Sequence, residues 1–159
     1  MEIESLRAIP FLMNLSDGEL NTFAALLETR AYKKGERILE EDAMPTSFHI
    51  VVDGTVHVRR RGADSRELLL ARLGPGSFFG EINLFDPGLA TASIYAMKDT
   101  HLAMISYDRF RVFMDENPRA GYQIASAILK EVARRMRTTD ERLANSVFRA
   151  EPPDNETKA

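Results

Sequence analysis

The sequence predicts a mainly β fold with flanking helices: a jelly-roll β-barrel with N-terminal helices and a long C-terminal dimerisation helix. Three observations predict it. Between about Thr29 and Ile105, short β-prone runs alternate with turn signals. A helix-start signature stands before them. After them an apolar pattern with alternating steps of three and four continues for several heptads.

Each element follows from local chemistry. In Ser16-Asp17-Gly18-Glu19 the serine and the glutamate three residues on can satisfy each other's exposed N–H groups, so a helix should begin there. Leu20, Phe23, Ala24 and Leu27 then recur at i, i+3, i+4 and i+7, giving one apolar face. Helical periodicity stops, and the candidate strands are 37–40, 47–52, 55–60, 67–73, 92–97 and 101–105. Gly35, an Asp53-Gly54 hairpin signal, Gly62-Ala63-Asp64 and Gly74-Pro75-Gly76 punctuate them. Alternation in Thr55–Arg59 turns Val56 and Val58 inward and leaves His57 and Arg59 facing solvent. Short strands at this spacing point to a jelly roll or barrel.

Helix returns at Ser106, a cap for a segment with Tyr107, Phe110, Phe113 and Met114 on its buried side. Asn117-Pro118 reads as a second cap with proline at the first helical position. A long helix should run from 118 to about 148. Its residues Tyr122, Ala125, Leu129, Val132, Met136, Thr139, Leu143 and Ser146 form a heptad seam, and Ile124, Ile128 and Ala133 form a second stripe that can face the barrel. Residues 1–148 make one domain, and 149–159, with two prolines and no large apolar side chain, should be a disordered tail.

Composition narrows the function. The chain has 159 residues, a formal charge of -3 and no cysteine. Its sequence pI of about 5.7 offers no global basic surface for nucleic acid. A disulfide framework, a thiol nucleophile and a cysteine metal site are excluded. No secretory leader and no long apolar span is present, so a cytoplasmic protein without a membrane segment is expected. His49, His57 and His101 fall on separate candidate strands with no paired spacing. Neither a Walker nor a dinucleotide glycine pattern nor a G-x-S-x-G elbow occurs. An enzyme is not expected. On the long helix Lys130, Arg134, Arg135, Arg137 and Arg142 interleave with Glu131, Asp140 and Glu141, which reads as a solvated, ion-paired face.

The most informative stretch is Gly76-Ser77-Phe78-Phe79-Gly80-Glu81-Ile82-Asn83-Leu84-Phe85, followed by Ala90-Thr91-Ala92-Ser93-Ile94. A glycine turn feeding a short helix presents backbone N–H groups to an anion, and the adjacent carboxylate can accept from a sugar hydroxyl. This stretch resembles the phosphate-binding cassette of the cyclic nucleotide-binding domain family, which includes the catabolite activator protein and the regulatory subunits of cyclic-AMP-dependent kinase. The likeness extends from about Leu6 to Phe148.

The resemblance implies a site at Phe79, Gly80, Glu81, Ile82, Ala90, Thr91, Ala92 and Ser93, with Glu81 on the ribose 2′-hydroxyl and Thr139 of the long helix against the base. Asp140 stands where the family has a neutral hydroxyl. The family arginine falls on Ala90 or Thr91, so the cyclic phosphate loses its counter-charge. Between Leu73 and Tyr107 the only cationic side chain is Lys98, and an unneutralised Glu81 would repel the phosphate. A charge-assisted hydrogen bond is worth about 1.5 to 3 kcal/mol, so its loss should weaken binding roughly 10- to 150-fold.

The expectation is a stand-alone regulatory or sensor module, homodimeric through its C-terminal helix, with weak or altered binding of a cyclic nucleotide (cAMP or cGMP) and no certain cofactor. The alternative is a ligand-free interaction module in which the cassette serves only the fold. In either case a protein partner supplies the output. The segment after Phe148 is too short for a helix-turn-helix, so no specific DNA binding is expected.

Overall fold

A computed structural model describes residues 3–150. The expected tail beyond Ala150 lies outside the described residues, whereas 149–150 continue the last helix.

Helices α1 (Ile3–Arg7) and α2 (Asp17–Ala25) flank a 3-10 turn at Pro10–Leu12. The capping box at the start of α2 is formed, with Ser16 N–H donating to Glu19 Oε2 at 2.7 Å and Glu19 N–H to Ser16 Oγ at 3.3 Å. The strands are β1 (Glu28–Tyr32), β2 (Arg37–Leu39), β3 (Ser47–Asp53), β4 (Val56–Arg61), β5 (Glu67–Leu73), β6 (Phe78–Phe79), β7 (Ser93–Ala96) and β8 (Thr100–Ser106). Helix α3 (Glu81–Phe85) interrupts them, and α4 (Tyr107–Glu116) and α5 (Pro118–Ala150) follow.

Two antiparallel sheets, β1-β8-β3-β6 and β2-β7-β4-β5, close the predicted jelly roll. β1 and β6 were not among the strands expected from sequence. β1 has a single buried residue, Tyr32, so no apolar alternation marks it. β6 is two residues long and exists because Phe78 and Phe79 pair with Ile50 and His49. The Asp53-Gly54 signal makes a turn, but not a hairpin: β3 and β4 belong to different sheets. Gly54 has φ +100, and a Cβ there would lie 2.3 Å from Thr100 Oγ1. Of the Thr55–Arg59 alternation, Val56 is fully buried, while His57, Val58 and Arg59 are all half-buried.

The period-two side-chain alternation of the first sheet creates two cores. Its outer face, with Phe48, Ile50, Phe78 and Ile105, packs against Phe11, Phe23, Phe110, Phe113, Ile124 and Ile128 of the helical layer. Its inner face, with Val51, Phe79 and Leu102, meets Val56, Leu73 and Ile94 of the second sheet. Adjacent Phe78 and Phe79 thus enter different cores. The stripe Ile124 and Ile128 on α5 is buried as expected, and Ala133 is partly so. The seam residues Tyr122, Leu129, Met136 and Leu143 are 70, 67, 62 and 62 % exposed.

Candidate functional site

The cassette residues gather at the open end of the barrel. Gly80 caps α3 at φ 86, and a Cβ on it would come within 2.8 Å of Ser47 O. Only glycine meets both conditions, the left-handed backbone and the close approach to β3. The turn sets Phe79 into the barrel core and delivers Glu81, almost fully buried, into the first turn of α3.

Glu81 is not unneutralised, contrary to the sequence expectation. Arg135 of α5 donates from Nη1 to Glu81 Oε1 at 3.3 Å, from Nη2 to Phe78 O at 3.0 Å and from Nε to Glu131 Oε1 at 2.9 Å. Its guanidinium also lies 4.8 Å from the centroid of the Phe78 ring. Burial pushes the Glu81 carboxyl up, and the Arg135 charge pulls the other way. The solvated-face expectation therefore fails for Arg135, whose side chain is only 23 % exposed. A signal for it existed: Arg135 follows Ile124 by eleven residues and Ile128 by seven, which places it on the barrel-facing stripe.

Two residues of α4 complete the support. Arg111 donates from Nε and Nη2 to Leu84 O at 3.2 and 3.0 Å and from Nη2 to Asn83 O at 3.3 Å, satisfying carbonyls at the C-terminal end of α3. Tyr107 lies under the Arg111 guanidinium, its Oη buried without a hydrogen-bond partner. Burial and the nearby Glu81 charge push its hydroxyl up to about 12. Asn83 donates to Gly88 O at 2.6 Å and holds the connecting loop.

The second half of the cassette closes the opposite wall. Ala90 N–H donates to Ala43 O and Ala90 O accepts from Asp42 N–H, at 2.8 and 2.9 Å. Phe79, Gly80, Glu81, Ile82, Ala90, Thr91 and Ala92 all line one cavity of about 100 Å³, with Arg135 at its edge. Ser93 does not line it: its Oγ accepts from Glu41 N–H at 2.9 Å on the other side of β7. Thr139 is exposed, donates to Arg135 O at 3.0 Å, and lines an adjoining cavity of about 460 Å³ between the helix and β5. Of the residues lining the smaller cavity, Arg135 is the only cation.

The model of the cyclic nucleotide-binding domain matches residues 29–117. This chain belongs to the cyclic nucleotide-binding domain family. A CRP-like cAMP-activated global transcriptional regulator of Mycobacterium tuberculosis is 31% identical over 133 residues, covering 82% of this chain and 58% of that protein. The cyclic AMP receptor protein of Thermus thermophilus is 28% identical and is covered to 61% of its length. The chain thus spans less than two thirds of these relatives. The crystal structure of the Thermus thermophilus catabolite activator protein superposes with a TM-score of 0.75 at 28% identity, over 87% of this chain and 63% of that one. A cyclic nucleotide-binding domain from Methylobacillus flagellatus gives 0.83 at 19% identity over 91% and 83%, a likeness of fold. No helix among the described residues is long and apolar enough to cross a membrane.

Proposed function

We propose that this domain is a non-catalytic, homodimeric sensor that binds a cyclic nucleotide weakly or in an altered way, at Glu81 and the walls Phe79–Ile82 and Ala90–Ala92. One observation carries the reading. Glu81 is retained, buried and held by Arg135, while the facing wall at Ala90 and Thr91 offers no cation to a phosphate. The geometry keeps a partner for the ribose and lacks the partner for the charge, which costs the roughly 10- to 150-fold of one charge-assisted contact. Calorimetric titration with cyclic AMP, cyclic GMP and cyclic dinucleotides tests it. Binding in the micromolar range or weaker is expected, and nanomolar binding of cyclic AMP would overturn it.

The dimer would form along α5, because four large side chains at heptad spacing stand exposed on one face. Met136→Glu should dissociate it, and a wild-type monomer at tens of micromolar in sedimentation would refute it. In this reading the protein works in the cytoplasm, a protein partner supplies the output, and the domain alone binds no specific DNA, since helix cations such as Arg134 and Arg135 are paired with Glu131.

A second reading is favoured by volume. The cavity between the two cassette segments holds about 100 Å³, below the roughly 300 Å³ at which ordinary ligand sites begin, so a nucleotide must also occupy the adjoining cavity of about 460 Å³ that Glu81, Ile82, Thr91 and Ala92 share. A ligand-free interaction module would need no more. No heat with any of the titrated nucleotides would select this reading.

A further inference from the structure

A cavity of about 500 Å³ shares Arg135 with the smaller cassette cavity and has no other lining residue in common with it. Its volume falls within the roughly 300 to 1,000 Å³ of small-molecule sites. Three parts of the chain line it: Pro10, Phe11 and Met13 at the 3-10 turn, the turn Pro75-Gly76-Ser77 with Phe78, and α5 with Lys130, Glu131 and Arg134. Phe11 and Phe78 pack edge to face at 5.2 Å, and Pro10 and Met13 are exposed. Ala127, Lys130, Glu131 and Arg134 recur at i, i+3, i+4 and i+7, so helical period puts them on one face of α5. With Tyr122, Leu129 and Met136 at the a positions of the heptads, Lys130 and Arg134 occupy b and f positions. A second copy seated on the seam would leave this cavity open.

The lining is cationic. Lys130, Arg134 and Arg135 stand against one carboxylate, Glu131. That carboxylate is fully engaged: Oε2 accepts from Arg134 Nε at 2.8 Å, and Oε1 accepts from Arg134 Nη2 at 2.7 Å and from Arg135 Nε at 2.9 Å. It cancels one positive charge and leaves two. Lys130 is exposed and, among the described residues, has no carboxylate within ion-pair distance. The backbone of the turn is committed elsewhere, Gly76 N–H to Val51 O at 2.8 Å and Ser77 N–H to Gly74 O at 3.1 Å. Recognition of an anion therefore falls to side chains.

We propose that this cavity is a second binding site, for a phosphate monoester with a small apolar body, its phosphate held by Lys130 and Arg134 and its body against Pro10 and Met13. Charge selects the class. A phosphate monoester carries nearly two negative charges at neutral pH and matches the two that Glu131 leaves, whereas a carboxylate or a phosphodiester carries one. Apolar surface beside the cations favours an ester over the bare ion. The site does not depend on the cassette reading, since neither Ala90 nor Thr91 lines it.

Calorimetric titration of the full chain at low salt, with phenyl phosphate as the probe, tests this. Lys130 makes no side-chain hydrogen bond among the described residues, so Lys130→Gln should fold as wild type and weaken binding roughly 10-fold. Arg134→Gln should weaken it by a similar factor. Arg135→Gln is no test, because Arg135 also holds Glu81 and Phe78. Inorganic phosphate, which lacks the body, and phenylacetate, which lacks the second charge, should each bind about 10-fold more weakly than phenyl phosphate. Thr91→Glu, which places a negative charge on the cassette wall, should leave phenyl phosphate binding unchanged. The proposal is overturned by no heat up to about 10 mM phenyl phosphate, by unchanged affinity in Lys130→Gln, or by inorganic phosphate or phenylacetate binding equally well. Loss of binding in Thr91→Glu would also overturn it, by moving the ester to the cassette. Failure of cyclic nucleotides to bind would leave it standing.

Discussion

The segments Phe79–Phe85 and Ala90–Ala92 line the same cavity but are held in different ways. The first is braced by long charged side chains from distant helices: Arg135 on Glu81 and Phe78, and Arg111 on Asn83 and Leu84. The second is held by backbone pairs between Ala90 and the loop at Asp42 and Ala43, with Ser93 receiving Glu41 N–H. Its own side chains carry little of the structure, and Thr91 is exposed. A charged group can be lost from such a wall without loss of the fold. Removing a brace from the first segment leaves a buried polar group unpaired, which costs about 1 to 3 kcal/mol. The difference explains how this chain keeps the cassette architecture while the wall at Ala90–Ala92 carries no charged side chain.

The largest effect expected on the braced segment is from Gly80→Ala. A left-handed backbone and a 2.8 Å approach to Ser47 O should together cost on the order of 3 kcal/mol, read as a lower urea midpoint. An unchanged midpoint would mean that the turn relaxes freely.

Acid should loosen the same segment. His49 stacks on Phe79 with ring centroids 4.6 Å apart, and its Nδ1 is buried without a partner. Burial lowers its pKa from 6.5 to about 4. The unfolded chain then binds more protons than the folded one between those values, so stability falls as pH drops through that window and levels off below it. At about 1.4 kcal/mol per unit, the loss is on the order of 3 kcal/mol. His49→Gln should flatten this part of a pH–stability curve measured by urea unfolding.

The neutral wall is sharpened by restoring its charge. Thr91→Arg should tighten cyclic AMP binding by roughly 10- to 150-fold in calorimetry, and Glu81→Ala should then abolish the gain. Ala90→Arg distinguishes the two registers: Ala90 is only 2 % exposed, so arginine there must displace its neighbours and should cost stability. If both arginine variants fold and neither binds better than wild type, the wall is remodelled beyond one residue. The smallest effect belongs to Arg111→Met, which keeps the aliphatic stem and leaves the α3 carbonyls unpaired. It should cost about 1 to 2 kcal/mol and speed amide exchange at Asp86, whose N–H bonds to Ile82 O. Exchange as slow as in wild type would show that α3 does not depend on this arginine.

Much of the molecule could be read from local patterns. The capping box at Ser16, the cap at Ser106 and proline at the start of α5 all depend on residues a few positions apart, and each formed where its chemistry placed it. The stripe of Ile124 and Ile128 is buried for the same reason, since helical period alone fixes which residues share a face.

What only the tertiary structure decided involves groups far apart in the chain. Arg135 reaches Glu81 across 54 positions and Arg111 reaches Leu84 across 27, so inspection of the cassette alone found no cation. β6 exists only through its pairing with β3, and the Asp53-Gly54 turn, packed against Thr100, leads into the opposite sheet. Ala90 and Thr91 are adjacent and equally neutral in sequence, yet one is buried and the other exposed. Periodicity and capping are short-range and survive in a one-dimensional reading. Charge pairing and burial depend on which distant surfaces the chain brings together, and that is set by the closure of the two sheets and the docking of α5.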